Sequence, residues 1–150
     1  MEHAGTIKNG VLAFLAGVGS LIANQLGGVD ETLKLLLGCI TVDYITGWIV
    51  AAVFQRSDKS AGGGLDSKAG FKGLCRKCAI LLFVWLATLL DEAVGASYTR
   101  TAVCLFFAAN EGLSILENLG IMGIPYPEFI KNALEALKKK GEQGTGGDIS

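Results

Sequence analysis

Charge is scarce in this sequence. Asp, Glu, Lys and Arg make up 18% of the chain, against about 25% in an average soluble domain. The few charges are clustered, with long uncharged runs between them. A net charge of −1 gives no reason to expect a nucleic-acid partner. Histidine is rarer still: His3 is the only one and stands in the first few residues. That leaves no Ser-His-Asp set for nucleophilic catalysis. It also leaves Cys75 and Cys78, in C-R-K-C, without the further ligands of a zinc site. A redox pair would sit near a βαβ pattern, which is lacking, so the cysteines read as positions on an apolar helix face. The order G-x-x-x-x-G-K-[ST] does not occur in the Gly- and Lys-containing loop Gln55–Gly70, which argues against nucleotide binding. Glu111 and Glu117 could do acid–base work, but nothing positions a substrate beside them. No metal, cofactor or enzymatic activity is expected. Proline occurs twice and glycine 21 times. Glycine without proline or repeats suits helices in close contact within a membrane better than it suits disorder.

Apolar residues are plentiful, at 51% of the chain with a mean hydropathy of +0.47. The expected fold is all-α: a single polytopic membrane domain over residues 1–150, with about four transmembrane helices. Asn9–Val29 carries no charge and is longer than the roughly 7–15-residue apolar region of a signal peptide, so it reads as an uncleaved first span. Ala13, Ala16, Gly17 and Ser20 give it a small-residue face. Leu35–Phe54 is the second span, and Gln55–Gly70, with three consecutive glycines, is a loop. From Phe71 a basic, amphipathic helix start runs into the third span, residues 74–95, with Lys72, Arg76 and Lys77 turned away from its apolar side. Thr101–Met122 is the fourth span. Pro127 can open a short amphipathic helix over residues 127–140, placed at the inner membrane surface with an apolar stripe of Phe129, Ile130, Ala133, Leu134 and Leu137. Residues 141–150 read as a disordered tail.

Two polar features interrupt this apolar pattern. On the fourth span Asn110, Ser114, Glu117 and Asn118 share a stripe, with Glu111 on its flank and Leu105, Gly112, Leu116 and Leu119 opposite. On the second span Asp43 lies near the middle and shares a face with Cys39, Thr46 and Gly47. A carboxylate at the centre of a membrane helix costs about 2.5–3.5 kcal/mol on insertion scales. Both faces should therefore turn inward, Asp43 either with its proton on or with a cationic or hydrogen-bonding partner. A pore or assembly role and a purely structural hydrogen bond are both open for it.

Positive charge orients the chain. The loop between spans two and three and its flank hold Arg56, Lys59, Lys68, Lys72, Arg76 and Lys77. The C-terminal region holds Lys131, Lys138, Lys139 and Lys140. The turns after spans one and three hold only Lys34 and Arg100, beside Asp30, Glu31, Asp91 and Glu92. Four spans with both termini cytoplasmic satisfy every loop. A re-entrant fourth segment would give three spans and an outside C-terminus, which the lysine-rich end disfavours. Lys68, Lys72, Arg76, Lys77 and Lys138–Lys140 are the candidates for setting topology and holding anionic lipid.

Several ordered patterns, from about Leu35 to Lys140, resemble the holins of the toxin-secretion/phage-lysis type, a group that includes clostridial toxin-secretion holins. They are Asp43-Tyr-Ile-Thr46-Gly47, then Leu65-Asp-Ser67-Lys68-Ala-Gly70-Phe-Lys-Gly73, then Lys77 and Asp91. Asn110-Glu111-Gly-Leu-Ser114-Ile115-Leu-Glu117-Asn118 and Gly123-Ile-Pro125-Tyr-Pro127 complete the set. Asp66 departs from the pattern, where a second serine is expected. The resemblance implies a non-enzymatic homo-oligomer of the bacterial cytoplasmic membrane. Such proteins accumulate harmlessly, then form non-selective lesions that release an endolysin or toxin without binding it, and so time host-cell lysis. An antiholin is a further partner of such systems. On this reading Asp43, Thr46, Gly47, Asn110, Glu111, Ser114, Glu117 and Asn118 serve pore formation or assembly, and lesion growth exchanges helix pairing for hydration of Asp43, Glu111 and Glu117. A small ion-channel or transport subunit is the first alternative, although the chain has no inverted repeat. A membrane assembly scaffold is the second.

Overall fold

The computed structural model of the chain describes residues 2–55, 62, 64 and 66–143, with side chains from Ile7 onward. Arg56, Lys59, Leu65 and residues 144–150 lie outside the described residues. All regular structure among those described is helical: α1 (Glu2–Gln25), α2 (Glu31–Ile49, continued by one widened turn over Val50–Phe54), α3 (Ser67–Val94), α4 (Thr99–Ile121) and α5 (Glu128–Glu142). Four segments are long and apolar enough to cross a membrane: Ile7–Gln25, Glu31–Phe54, Ser67–Val94 and Thr99–Ile121.

Local chemistry sets the helix ends. α1 stops at Gln25, short of the expected Val29, because Gly27 takes up φ +81°. Gly28 N–H then donates to Ala23 O at 2.9 Å and Gly27 N–H to Asn24 O at 3.0 Å, closing the left-handed glycine end that satisfies the last carbonyls. Asp30 caps α2 by accepting from Leu33 N–H at 2.8 Å. Asp66 caps α3, accepting from Lys68 N–H at 2.9 Å. The third helix therefore starts at Ser67, before the residue 74 expected for the span itself, and the basic segment is its first turns. A serine at position 66 could make the same cap, so the departure from the holin pattern keeps the local function.

α4 is the centre, in contact with α2, α3 and α5. Its buried Cys104 and Ala108 meet Leu33 and Leu36 of α2, Ile80 and Val84 of α3, and Leu26 of the α1–α2 turn. Ala102, Ala108, Ala109 and Gly112 make α4 narrow, so neighbours approach closely. α1 stands apart, with no buried residue between Ile7 and Gln25.

The distribution of polarity is inverted relative to a water-soluble bundle. Phe14, Leu21, Trp48, Leu82 and Val94 are exposed, while Asp43, Lys77, Thr88, Asp91, Arg100, Glu111 and Asn118 are buried. Lipid is as apolar as leucine, so burying leucine gives these helices little reason to associate. Close packing and interhelical polar contacts supply it instead.

The fifth helix differs from its expected place on the inner surface. Gly123, at φ +74°, ends α4 and reverses the chain, and α5 runs back along α4. Leu134 seats on Gly112, where a Cβ would come within 2.7 Å of Leu134 Cδ2. Gly141 lies so close that a Cβ there would stand 2.6 Å from Phe106 N and 2.7 Å from Ala102 O. Two glycines thus allow a lengthwise contact that a larger residue at either point would hold apart.

Candidate functional site

Midway along the bundle, three helices bring formal charges together. Lys77 of α3 lies 14 residues, about 21 Å, before Asp91 near the end of that helix, within a hydrocarbon layer about 30 Å thick. Its Nζ donates to Asp43 Oδ2 of α2 at 2.7 Å and also to Glu111 Oε2 of α4. All three residues are buried. Asn118, two turns beyond Glu111, extends the cluster: its Nδ2 donates to Thr46 Oγ1 at 2.9 Å and to Asp43 Oδ1 at 3.3 Å. Thr46 Oγ1 in turn donates to Asp43 O at 3.1 Å. Gly47 lies beside this network: a Cβ there would stand 3.8 Å from Asn118 Nδ2, an ordinary van der Waals contact.

Counted as ionised groups, two carboxylates and one ammonium leave the cluster at −1. The ammonium offsets much of the cost of placing acids in hydrocarbon, and the remaining oxygens find amide and hydroxyl partners. No buried side-chain nitrogen or oxygen among the described residues lacks a partner. The arrangement can therefore clamp three helices together. With both acids ionised it also holds one more negative than positive group, which water would stabilise if it entered.

The sequence expectation is redistributed rather than reproduced. Asp43, Thr46, Gly47, Glu111 and Asn118 come together. Asn110 and Ser114 are half-buried beside the cluster, and Glu117 is exposed on another side of α4. Glu117 faces a cleft of about 290 Å³ that Leu113, Leu116, Tyr126, Lys131 and Glu135 also line. Lys77 changes place most. Sequence pattern set it among lipid-facing basic residues, yet it is interior, while Lys68, Lys72 and Arg76 are exposed. Phe71, Leu74, Cys75 and Cys78 face outward, as do Lys72 and Arg76, and Lys77 lies on the remaining side, which points into the bundle. Lys138 is half-buried with its Nζ 5.8 Å from the centre of the Phe106 ring, and Lys139 and Lys140 are exposed.

A second polar tie, unforeseen in the sequence, closes the end of the bundle where the α1–α2 and α3–α4 turns meet. The Arg100 guanidinium donates from Nη1 to Asp30 Oδ2 at 2.6 Å, from Nη2 to Gly28 O at 2.8 Å, and from Nε to Leu26 O. Asp91 accepts from Thr99 N–H at 3.0 Å and Arg100 N–H at 2.9 Å, capping the start of α4. Partial burial pushes the Asp30 carboxyl up. Hydrogen bonds from Arg100, Leu33 N–H and Thr32, with the guanidinium charge, outweigh it and bring the group down to about 2. The signal was available: Arg100 and Lys34 are the two cations of an otherwise acidic pair of turns.

Comparison with known proteins agrees with this architecture. The sequence profile of the bacteriophage holin family matches residues 20–139. An uncharacterized protein of Listeria monocytogenes is 39% identical over 129 residues, covering 85% of this chain and 84% of that one. An uncharacterized protein of Listeria innocua is 40% identical over 129 residues, with the same coverage. A protein of Bacillus phage phi105 that bears the name "Probable holin" is 34% identical over 122 residues, covering 81% of this chain and 84% of its own length. No solved structure matches.

Proposed function

We infer the function from one premise: this chain belongs to the bacteriophage holin family. It has a holin-type role in a membrane, and a non-enzymatic, oligomeric protein is what that family implies. The finer reading is that copies accumulate in the bacterial cytoplasmic membrane with the N-terminus and the α2–α3 loop inside. They then associate abruptly into non-selective lesions, through which an endolysin or toxin escapes without binding the lesion protein. Lysis timing is the time taken to reach that transition.

The observation that carries this reading is the Asp43–Lys77–Glu111 cluster. A lone buried pair would only hold helices together. Two acids on one lysine hold them at the expense of an unbalanced negative charge in a low-dielectric layer. Such a bundle is stable in isolation but gains when neighbouring copies admit water, because ionised carboxylates are tolerated in a water-filled space. Closed and open states then differ in hydration of one cluster rather than in a refolding of the chain. Lys68, Lys72 and Arg76 hold the cytoplasmic face to anionic lipid.

The test is induction in bacteria together with an endolysin that lacks an export signal. Lysis only when both are present supports the reading. A graded, ion-selective current without endolysin release points to a channel subunit instead. Abundant membrane-inserted protein with no permeability change points to a scaffold.

A further inference from the structure

α5 has three arcs. Leu134, Leu137, Lys138 and Gly141 are half-buried, and Leu134, Lys138 and Gly141 meet α4. Phe129, Ile130 and Ala133 form an apolar arc that stays exposed and ends at Lys140, and Glu128, Lys131, Glu135, Lys139 and Glu142 form a charged arc that is also exposed. Fifteen residues rise about 22 Å. The contact runs from Gly112 to Ala102, two residues from Arg100, so the helix spans much of a hydrocarbon layer about 30 Å thick. The charged arc continues onto α4 at Glu117 through the cleft of about 290 Å³ that Lys131 and Glu135 share with it.

This placement conflicts with lipid on all sides. A lysine or acid at bilayer centre costs about 2.5–3.5 kcal/mol on insertion scales, and α5 carries several. Lys131 and Glu135 are 4.0 Å apart, with side chains 53% and 49% exposed, so they do not hide one another. A helix with one arc on its own bundle, one apolar arc and one charged arc fits the boundary between lipid and water.

Resting on the reading of the chain as a lesion-forming holin, we propose that the α4–α5 hairpin is the wall of the lesion. α5 stays packed lengthwise on α4, turns Glu128, Lys131, Glu135, Lys139 and Glu142 to the water with Glu117, and turns Phe129, Ile130 and Ala133 to lipid. The permeating solute meets α5, and water admitted along that wall reaches the Lys77 cluster behind it.

The experiment uses the full chain in vesicles of anionic phospholipid loaded with fluorescent dextran, with Cys39, Cys75, Cys78 and Cys104 replaced by alanine. Oxidising a Gly112→Cys, Leu134→Cys pair ties α5 to α4. Separately, a bulky maleimide is attached at Glu135→Cys or at Ala133→Cys. The proposal expects the tied chain to leak dextran as fast as its reduced form, and the adduct at position 135 to slow efflux several-fold while that at 133 leaves it unchanged. Leakage that stops on oxidation and returns on reduction would overturn it, since α5 would then have to leave α4. Equal effects of the two adducts would overturn it as well. If the wild-type chain and the cysteine-free chain release no dextran, the lesion reading itself fails, which is a distinct outcome from a leaking chain that the tie silences.

Discussion

Single residues decide whether the interior is tolerable. Lys77 is paired with both Asp43 and Glu111. Lys77→Met keeps the length and removes the charge, leaving two buried acids without it. Breaking a buried pair from one side costs about 3–5 kcal/mol. The variant is expected to lose that much resistance to unfolding in detergent titrations with SDS, whereas Lys72→Met, on an exposed position, should change it little. Equal stability of the two would remove the clamp. At the other end, Asp30 is held at about 2 by its partners, below its ordinary value of 3.8. A lowered carboxyl contributes stability that is full above the ordinary value and is lost as pH falls through the lowered one. The stability advantage of wild type over Asp30→Asn should therefore be constant above about pH 5 and shrink between about pH 4 and 2. The effect is small, since the Asp30 side chain is 47% exposed. An advantage that grew on acidification would contradict the assignment. What the sequence showed at this scale was that Asp43 and Glu111 must face inward. What it hid was the partner, because Lys77 is 34 residues from each of them and reads locally as an ordinary basic flank. The usable signal was charge balance: two acids within spans call for a cation within the bundle, and Lys77 on α3 supplies it.

Elements were legible wherever a long apolar run met a clear stop. The four spanning helices follow from uncharged length, and their ends from Asp and Gly at the turns. α3 begins at Ser67 because Asp66 caps it. Asp66→Ala should lower stability by about 1 kcal/mol and fray the first turn, and Asp66→Ser should be close to neutral. Amide exchange over residues 67–73 measures this, and unchanged protection in Asp66→Ala would show that the cap is idle. α5 was legible as an amphipathic helix but not as the partner of α4. An apolar stripe predicts that a helix lies on something apolar, and a membrane surface and a neighbouring helix meet that need equally. The deciding feature is steric: Gly112 and Gly141 leave room only visible once the two helices are set side by side. The polar stripe of α4 shows the same limit. Because α2, α3 and α5 all border α4, no side of it is simply outside, and Glu111 and Asn118 join the cluster while Glu117 opens to the α5 cleft.

For the molecule as a whole, polar groups inside and apolar groups outside mean that the membrane, not water, is the solvent this fold is built for. Within that frame the cluster sets the balance between isolated bundles and wet assemblies. Asp43→Asn or Glu111→Gln leaves one carboxylate on one ammonium, a neutral pair in place of a site at −1. The closed bundle gains, so lesions should form later. Lys77→Gln increases the unbalanced negative charge, so at equal accumulation lesions should form earlier. The central claim is tested most directly by following membrane potential after induction of wild type, Asp43→Asn, Glu111→Gln and Lys77→Gln, with membrane levels matched by immunoblot. The account predicts an abrupt collapse after a delay in wild type, a longer delay in both amide variants and a shorter one in Lys77→Gln. An unchanged schedule in all three variants, or a wild-type chain that accumulates with the potential intact, would contradict it.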